Sequence, residues 1–245
     1  VSVALALCVV CSVVVSGAAV VLKPTQEINK TRDLKRNILM AAGLYNAELT
    51  IEEQFERVDA RVVDITTGEY ATDIDPAGFD QRAAAKNPAT SLSLDGDADI
   101  ANIIRQSRYA MVYLVNDDRG ALDKVILPIY GYGLWSTLYG FIAVEENAND
   151  IFGLQFYSHA ETPGLGAEVD NPRWKALWNG KRLTDEAGEL QITVAKTAPA
   201  AGKEFHVDAL SGATLTSVGV DNLVRFWMGE TGYAPFLANL KAGDI

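Results

Sequence analysis

The stretch "YAMVYLVNDDRGALDKVILPIYGYGLWSTLYGFIAVEENANDIFGLQFYSHA" (residues 109–160) consists of four short runs of β-branched and aromatic residues separated by turn signals. The runs are 109–115, 122–131, 137–146 and 151–160, and "NDDRG" closes the first of them. Such runs, bounded by Gly, Asn and Asp, read as strands, and connections this short make successive strands antiparallel neighbours. A fifth run, "LQITVAK" (190–196), completes the set. Helical patterning lies to either side. "PRWKALWNG" (172–180) opens on Pro and ends on Gly, as a short helix does. A last helix spans about 215–228, where Val220, Leu223, Val224 and Trp227 recur at i, i+3, i+4 and i+7 and form one buried face. Strands in sequence with helices at the flanks predict an α+β fold built on an antiparallel β-sheet.

Upstream of the sheet, residues 76–100 are polar and turn-rich and read as an irregular connection with one short helix. Residues 25–49 follow a helical pattern, with Ile28, Leu34, Ile38, Leu39 and Leu44 roughly on one face and Gly43 as a break. Residues 1–22, "VSVALALCVVCSVVVSGAAVVL", carry no charge. That matches the run of about 20 apolar residues a membrane-crossing helix needs. A signal peptide is the other reading, with small residues at 16–19 for cleavage; its apolar core would be shorter, about 7–15 residues, behind a basic flank. Neither Cys8 nor Cys11 stands in a convincing lipobox. The division expected is a single transmembrane helix at 1–22, a helical neck at 23–50 and a soluble domain at 51–245. Lys23, Lys30, Arg32, Lys35 and Arg36 follow the span. Taken alone they place this end in the cytoplasm, but a large domain crosses the membrane largely regardless of such a flank. The orientation stays open on charge alone.

Composition narrows the chemistry. The 245 residues are 49% hydrophobic and 22% charged, with a net charge of −11, and show no basic stripe, so no nucleic acid is expected as a partner. Both cysteines lie in the apolar segment. This leaves the soluble part without a disulfide framework, a thiol nucleophile or an iron–sulfur site of its own. His159 and His206 are far apart and outside any zinc spacing. No P-loop is present, and "GYG" (131–133) and "GLG" (164–166) lack the spacing of a dinucleotide fingerprint.

The remaining chemical signal is "DALSGATLTSVGV" (208–220). Gly212, among small residues, lets backbone come close to a ligand. The helix that follows offers unpaired N–H groups and the positive end of its dipole, which suit a phosphate. Ser211, Thr214 and Thr216 add hydroxyls, although Ser and Thr also serve as ordinary helix caps. Both readings stand on the residues alone.

"DALSGATLTS" resembles the flavinylation motif, an Asp followed after a few residues by Ser/Thr-Gly-Ala-Thr. Residues 130–144 and 159–169 resemble the two other flavin-contacting segments of the FMN-binding domain family. With the apolar span and neck, nearly the whole chain is similar to the C subunits of the sodium-translocating NADH:quinone oxidoreductases, with the G subunit of the related Rnf complex as the nearest alternative. The resemblance implies FMN joined through its phosphate to Thr214, with Asp208, Ser211, Gly212 and Ala213 as the sequence read by a separate FMN transferase, and Leu215 and Thr216 beside the attachment. It implies a ring sandwiched between Trp135 and Leu165, with Gly133, Leu134, Ser136, Glu161, Thr162, Gly164 and Gly166 around it. Lys196 is placed to hold negative charge, as an alternative to being a solvated surface lysine. It also implies a periplasmic domain on a bacterial inner-membrane anchor. The FMN would relay single electrons from an iron–sulfur centre to another flavin in neighbouring subunits, as part of a sodium-pumping complex. The rivals are a membrane-tethered binding or assembly module whose "SGAT" turn is only a cap, and a flavoprotein reductase acting directly on a small substrate.

Overall fold

The computed structural model describes residues 2–245. Helix α1 (Ser2–Ala41) runs unbroken through 40 residues, about 60 Å at the usual rise per residue, and is long and apolar enough to cross a membrane. Only its last turns are buried, through Ile38, Leu39 and Ala41. Ile28, expected on the docked face, is 66% exposed: α1 meets the domain only from Arg32, which pairs with Glu52 at 3.4 Å, and Leu34, which packs on the core. Helix α2 (Ile51–Phe55) follows, closed by a capping box between Thr50 and Glu53. It leads into β1 (Val58–Asp64). Helix α3 (Gln81–Lys86) is capped by the Asp80 side chain. The short strands β2 (Ser91–Ser93) and β3 (Arg105–Ser107) pair with each other.

Then comes the run that decides the fold: β4 (Tyr109–Asn116), β5 (Leu122–Tyr132), β6 (Thr137–Glu145) and β7 (Asp150–Ser158). They pair antiparallel in sequence order. Helix α4 (Pro172–Lys175) and a 3-10 turn (Ala176–Trp178) precede the two-residue strand β8 (Lys181–Arg182). Strands β9 (Thr193–Ala195) and β10 (His206–Asp208) form a separate pair, and helices α5 (Thr214–Met228) and α6 (Ala234–Ala242) end the chain. The main sheet has six strands in the order β1-β4-β5-β6-β7-β8.

Both faces of that sheet are covered, because side chains alternate along each strand. In β4, Ala110 and Val112 point to one core while Met111, Tyr113 and Val115 point to the other. In β5, Val125, Leu127 and Ile129 oppose Ile126 in the same way. The first core packs against α5, whose Val220, Leu223, Val224 and Trp227 form the expected face. The second packs against the end of α1 through Ile38, Leu39, Ala41 and Ala42. Each fully buried side chain of Val, Leu, Ile or Phe size contributes about 1.5–3 kcal/mol, so both layers are held strongly.

Three expectations change. The strand set is incomplete: β1, which sits at the sheet edge against β4, carries Asp59 and Arg61 on its partly exposed stretch, and these charges obscure the strand pattern. The 190–196 run shrinks to β9, which pairs parallel with β10 outside the main sheet. A further helix, α6, follows α5 and buries Phe236 and Leu237.

Candidate functional site

Helix α5 begins at Thr214, and its N-cap is Ala213, which offers no side-chain hydrogen bond to the first turn. A helix of 15 residues therefore presents its N–H groups and positive dipole end without a protein cap. The approach is fixed from behind. Ser217 Oγ donates to the Ala213 carbonyl at 2.9 Å and accepts from the Leu210 N–H at 3.0 Å. Trp174 Nε1 donates to the Asp208 carbonyl at 2.8 Å. Gly212 makes the turn at φ 75°, a left-handed conformation that favours glycine. Ser211, Gly212, Thr214 and Leu215 are exposed, whereas Ala213, Thr216 and Ser217 are buried. Ser217 is not among the residues the sequence pointed to; a serine one turn inside a helix, four residues after Ala213, is the signal for it.

Two loops face this helix end. The 133–136 turn joins β5 to β6, and Trp135 on it is 64% exposed, with Leu134 at 36%. The 159–166 loop leaves β7 and carries Leu165, 44% exposed. A Cβ on Gly212 would lie 3.3 Å from Leu165 Cδ2, so this loop borders the Ser211–Thr214 turn directly. Glu161 joins all three segments. Its Oε1 accepts the N–H groups of Leu134 at 3.1 Å, Trp135 at 3.0 Å and Ser136 at 3.4 Å. Its Oε2 accepts the Thr216 hydroxyl at 2.7 Å. Burial pushes the Glu161 carboxyl upward, but the Trp135 N–H, the Thr216 hydroxyl and the Leu134 and Ser136 N–H groups outweigh it and hold it below the ordinary glutamate value.

The packing is close enough to require glycine on both sides of this carboxylate. A Cβ on Gly133 would lie 2.7 Å from Glu161 Oε1, and one on Gly166 would lie 2.5 Å from Thr216 Oγ1. Gly164 turns at φ 76°, and the Thr162 carbonyl accepts the N–H groups of Leu165 and Ala167 at 3.1 Å each. Ser136 Oγ accepts the Ala160 N–H at 2.7 Å. His159 Nε2 lies 2.8 Å from Asp170 Oδ2, and its Nδ1 accepts the Glu161 N–H at 3.2 Å, which assigns the ring proton to Nε2.

The structure thus brings together Gly133, Leu134, Trp135, Ser136, Glu161, Leu165, Gly166, Gly212 and Thr216. The Thr162 side chain is exposed. Lys196 is exposed at the end of β9, whose Ala195 carbonyl accepts the Ala209 N–H at 3.1 Å on the approach to the turn. Asp208 pairs with His206 Nε2 at 3.0 Å. The donor set fits a flat aromatic group tethered by a phosphate. Exposed apolar faces at Trp135 and Leu165 suit its ring, and an uncapped helix start beside a free hydroxyl suits its anionic end.

Comparison with known proteins gives the family and the fold. A family model described as FMN-binding domain matches residues 133–229. The chain is 51% identical over 249 residues to the C subunit of the Na(+)-translocating NADH-quinone reductase of Pseudomonas aeruginosa, covering 99% of this chain and 95% of that protein. It is 46% identical over 237 residues to the C subunit of the Haemophilus ducreyi reductase, covering 96% and 91%. Its fold matches the crystal structure of Shewanella oneidensis NqrC with a TM-score of 0.80 at 40% identity, over 87% of this chain and 99% of that one.

Proposed function

This chain belongs to the family of the C subunits of the Na(+)-translocating NADH-quinone reductases, and from that premise we propose that it is the covalently flavinylated electron-transfer subunit of such a complex, with FMN on Thr214. One observation carries the reading: Thr214 is exposed at the uncapped head of α5, beside a loop that presents Leu165. Bound there, FMN supplies one-electron transfer between an iron–sulfur centre and another flavin of neighbouring subunits.

The chain's own residues do the holding. The first N–H groups of α5 and the hydroxyl of Ser211 would hold the phosphate. Trp135 and Leu165 would hold the ring, and stacking on an aromatic contributes about 0.5–1.5 kcal/mol beyond area burial. Lys196 holds negative charge at the rim. No acid or base is required of the protein for an electron to pass.

Attachment needs outside help. A threonine hydroxyl is a weak nucleophile without an adjacent base. Among the described residues no side chain hydrogen-bonds to Thr214, and Asp208 is paired with His206. A separate FMN transferase would therefore make the phosphoester from FAD, reading Asp208 and the Ser211–Thr214 turn: the threonine oxygen bonds to the FMN phosphorus, the pyrophosphate bond breaks, and AMP leaves while the hydroxyl proton is released. Residues 1–22 form a single span in a bacterial inner membrane and residues 23–50 a neck. The domain at 51–245 stands in the periplasm, in contact with iron–sulfur and flavin subunits.

The test is in-gel fluorescence of the denatured chain from cells containing the transferase, with intact mass showing the addition of FMN less one water. Thr214→Ala is expected to lose both signals. Fluorescence that survives this change moves the attachment elsewhere and overturns the assignment.

A further inference from the structure

Three successive backbone N–H groups, at Leu134, Trp135 and Ser136, converge on one point. Such a nest is an anion-binding concavity. Here the anion is internal: Glu161, 5% exposed, fills it with Oε1. Its other oxygen takes the hydroxyl of Thr216, itself 1% exposed, at 2.7 Å. Three backbone donors thus share Oε1 and the Thr216 hydroxyl takes Oε2, four donors from two separate chain segments on one carboxylate. The N–H groups of residues 134–136 are therefore committed to the protein and are not offered to a ligand.

The consequence is geometric. The turn carrying Trp135 and the helix carrying Thr214 make no strand or helix bond with each other. Glu161 bridges them, because Thr216 lies two residues beyond Thr214 on α5. Its own backbone is fixed in turn by His159 Nδ1 at 3.2 Å, and the neighbouring Ala160 N–H by Ser136 Oγ at 2.7 Å. Glycine at 133 and 166 is what admits the carboxylate between the two segments, since a Cβ on either would come within 2.7 Å of one of its oxygens. Hydrogen bonds to a charged acceptor are roughly twice as strong as neutral ones, so the charge keeps the bridge tight.

We infer that Glu161 is a positioning residue of the flavin site, setting the spacing between the Trp135 ring and the Thr214 hydroxyl through its bridge from the 133–136 turn to Thr216, beside the close packing of Gly219 on Tyr132 and Gly133. Its functional meaning rests on FMN being held at Thr214, but the bridge itself is a property of the chain alone. Glutamine separates shape from charge: its carbonyl can still accept from the turn, and its amide can donate to Thr216 Oγ1. Alanine removes the bridge. Aspartate keeps the charge on a side chain one methylene shorter.

The experiment uses the full-length chain in two forms. In chain made without the transferase, amide hydrogen exchange at Leu134, Trp135 and Ser136 is expected to quicken at least tenfold in Glu161→Ala, with the central β5–β6 amides unchanged. In flavinylated chain, visible circular dichroism, normalised to flavin absorbance, is expected to fall by at least half in Glu161→Ala. Glu161→Gln is expected to restore most of both signals. Should Glu161→Ala fail to fold, Glu161→Asp is expected to move both readouts in the same direction by a smaller amount. Unchanged exchange at the three amides, unchanged flavin dichroism, or a Gln variant no better than Ala overturns the inference. A chain that carries no flavin in any form overturns the proposed function instead, and the exchange measurement still judges the bridge.

Discussion

The hydroxyl of Thr216 donates to Glu161 Oε2 across 2.7 Å, with both residues buried. Of the two threonines in "GATLT", one is thereby committed to the protein and the other, Thr214, is left exposed. Thr216→Val keeps the shape and removes the donor, leaving a buried carboxylate oxygen unpartnered. The expected loss is about 1–3 kcal/mol, read as a lower midpoint in urea unfolding. Thr216→Ser is expected to recover most of it. A Val variant as stable as the parent would mean that water replaces the hydroxyl.

Thr214→Ala is expected to leave the fold intact. Thr214 is exposed at the first position of α5, and alanine is the better helix former. The unfolding free energy of the unflavinylated chain is expected to change by no more than about 0.5 kcal/mol. A larger loss would show that Thr214 caps or braces its own helix.

Gly219 lies where α5 crosses the end of β5. A Cβ there would sit 2.5 Å from the Tyr132 carbonyl oxygen and 2.9 Å from Gly133 Cα. Helix propensity alone would favour alanine by about 1 kcal/mol, but both neighbours are backbone and cannot rotate away. Overpacking wins, and Gly219→Ala is expected to cost about 1–3 kcal/mol. Because the displaced atoms are the last residue of β5 and the first of the turn holding Trp135, covalently bound flavin should also show altered circular dichroism. An alanine variant more stable than the parent would refute the close approach.

Much of this was legible because the deciding signals are local. The β4–β7 run alternates and breaks at evident turns, and the Ser211–Thr214 turn opens a helix with a regular buried face. Edge strand β1 was not legible, since Arg61 is exposed and Asp59 only partly covered, which blurs a seven-residue pattern. Nor was the role of Glu161: its partners lie 25–27 residues away on one side and 55 on the other. No window of sequence contains both. The carboxylate also lies where a Cβ on Gly133 or Gly166 would intrude, a closeness visible only in three dimensions.

Ile104 has φ 66° and is 69% exposed. A β-branched residue in this left-handed region costs about 1–2 kcal/mol, and little burial is lost by replacing it. Its N–H is held by Asp99 Oδ2 at 2.6 Å, which any residue but proline preserves. Ile104→Asn is expected to raise stability by about 1 kcal/mol, seen as a higher thermal midpoint. A fall in midpoint would show that the exposed side chain makes contacts that outweigh its strain.

The charge on Glu161 makes stability depend on pH in one direction. Burial raises its carboxyl, but the hydrogen bonds from Trp135, Thr216, Leu134 and Ser136 outweigh that and leave it low in the folded chain. The unfolded reference is about 4.3. A depressed folded value stabilises above that reference, and the contribution is lost as pH falls through the folded value. Glu161→Gln does not titrate and serves as the baseline. Glu52, Glu53, Asp117 and Asp185 are also held low by their own hydrogen bonds, but they titrate alike in both proteins and cancel in the difference. The gap in unfolding free energy between parent and Gln variant is expected to be constant from about pH 7 to about pH 5 and to shrink steadily below about pH 4.3. Urea unfolding across that range measures it, and a gap that stays constant down to about pH 3 would mean that the carboxylate is not held low by its four donors.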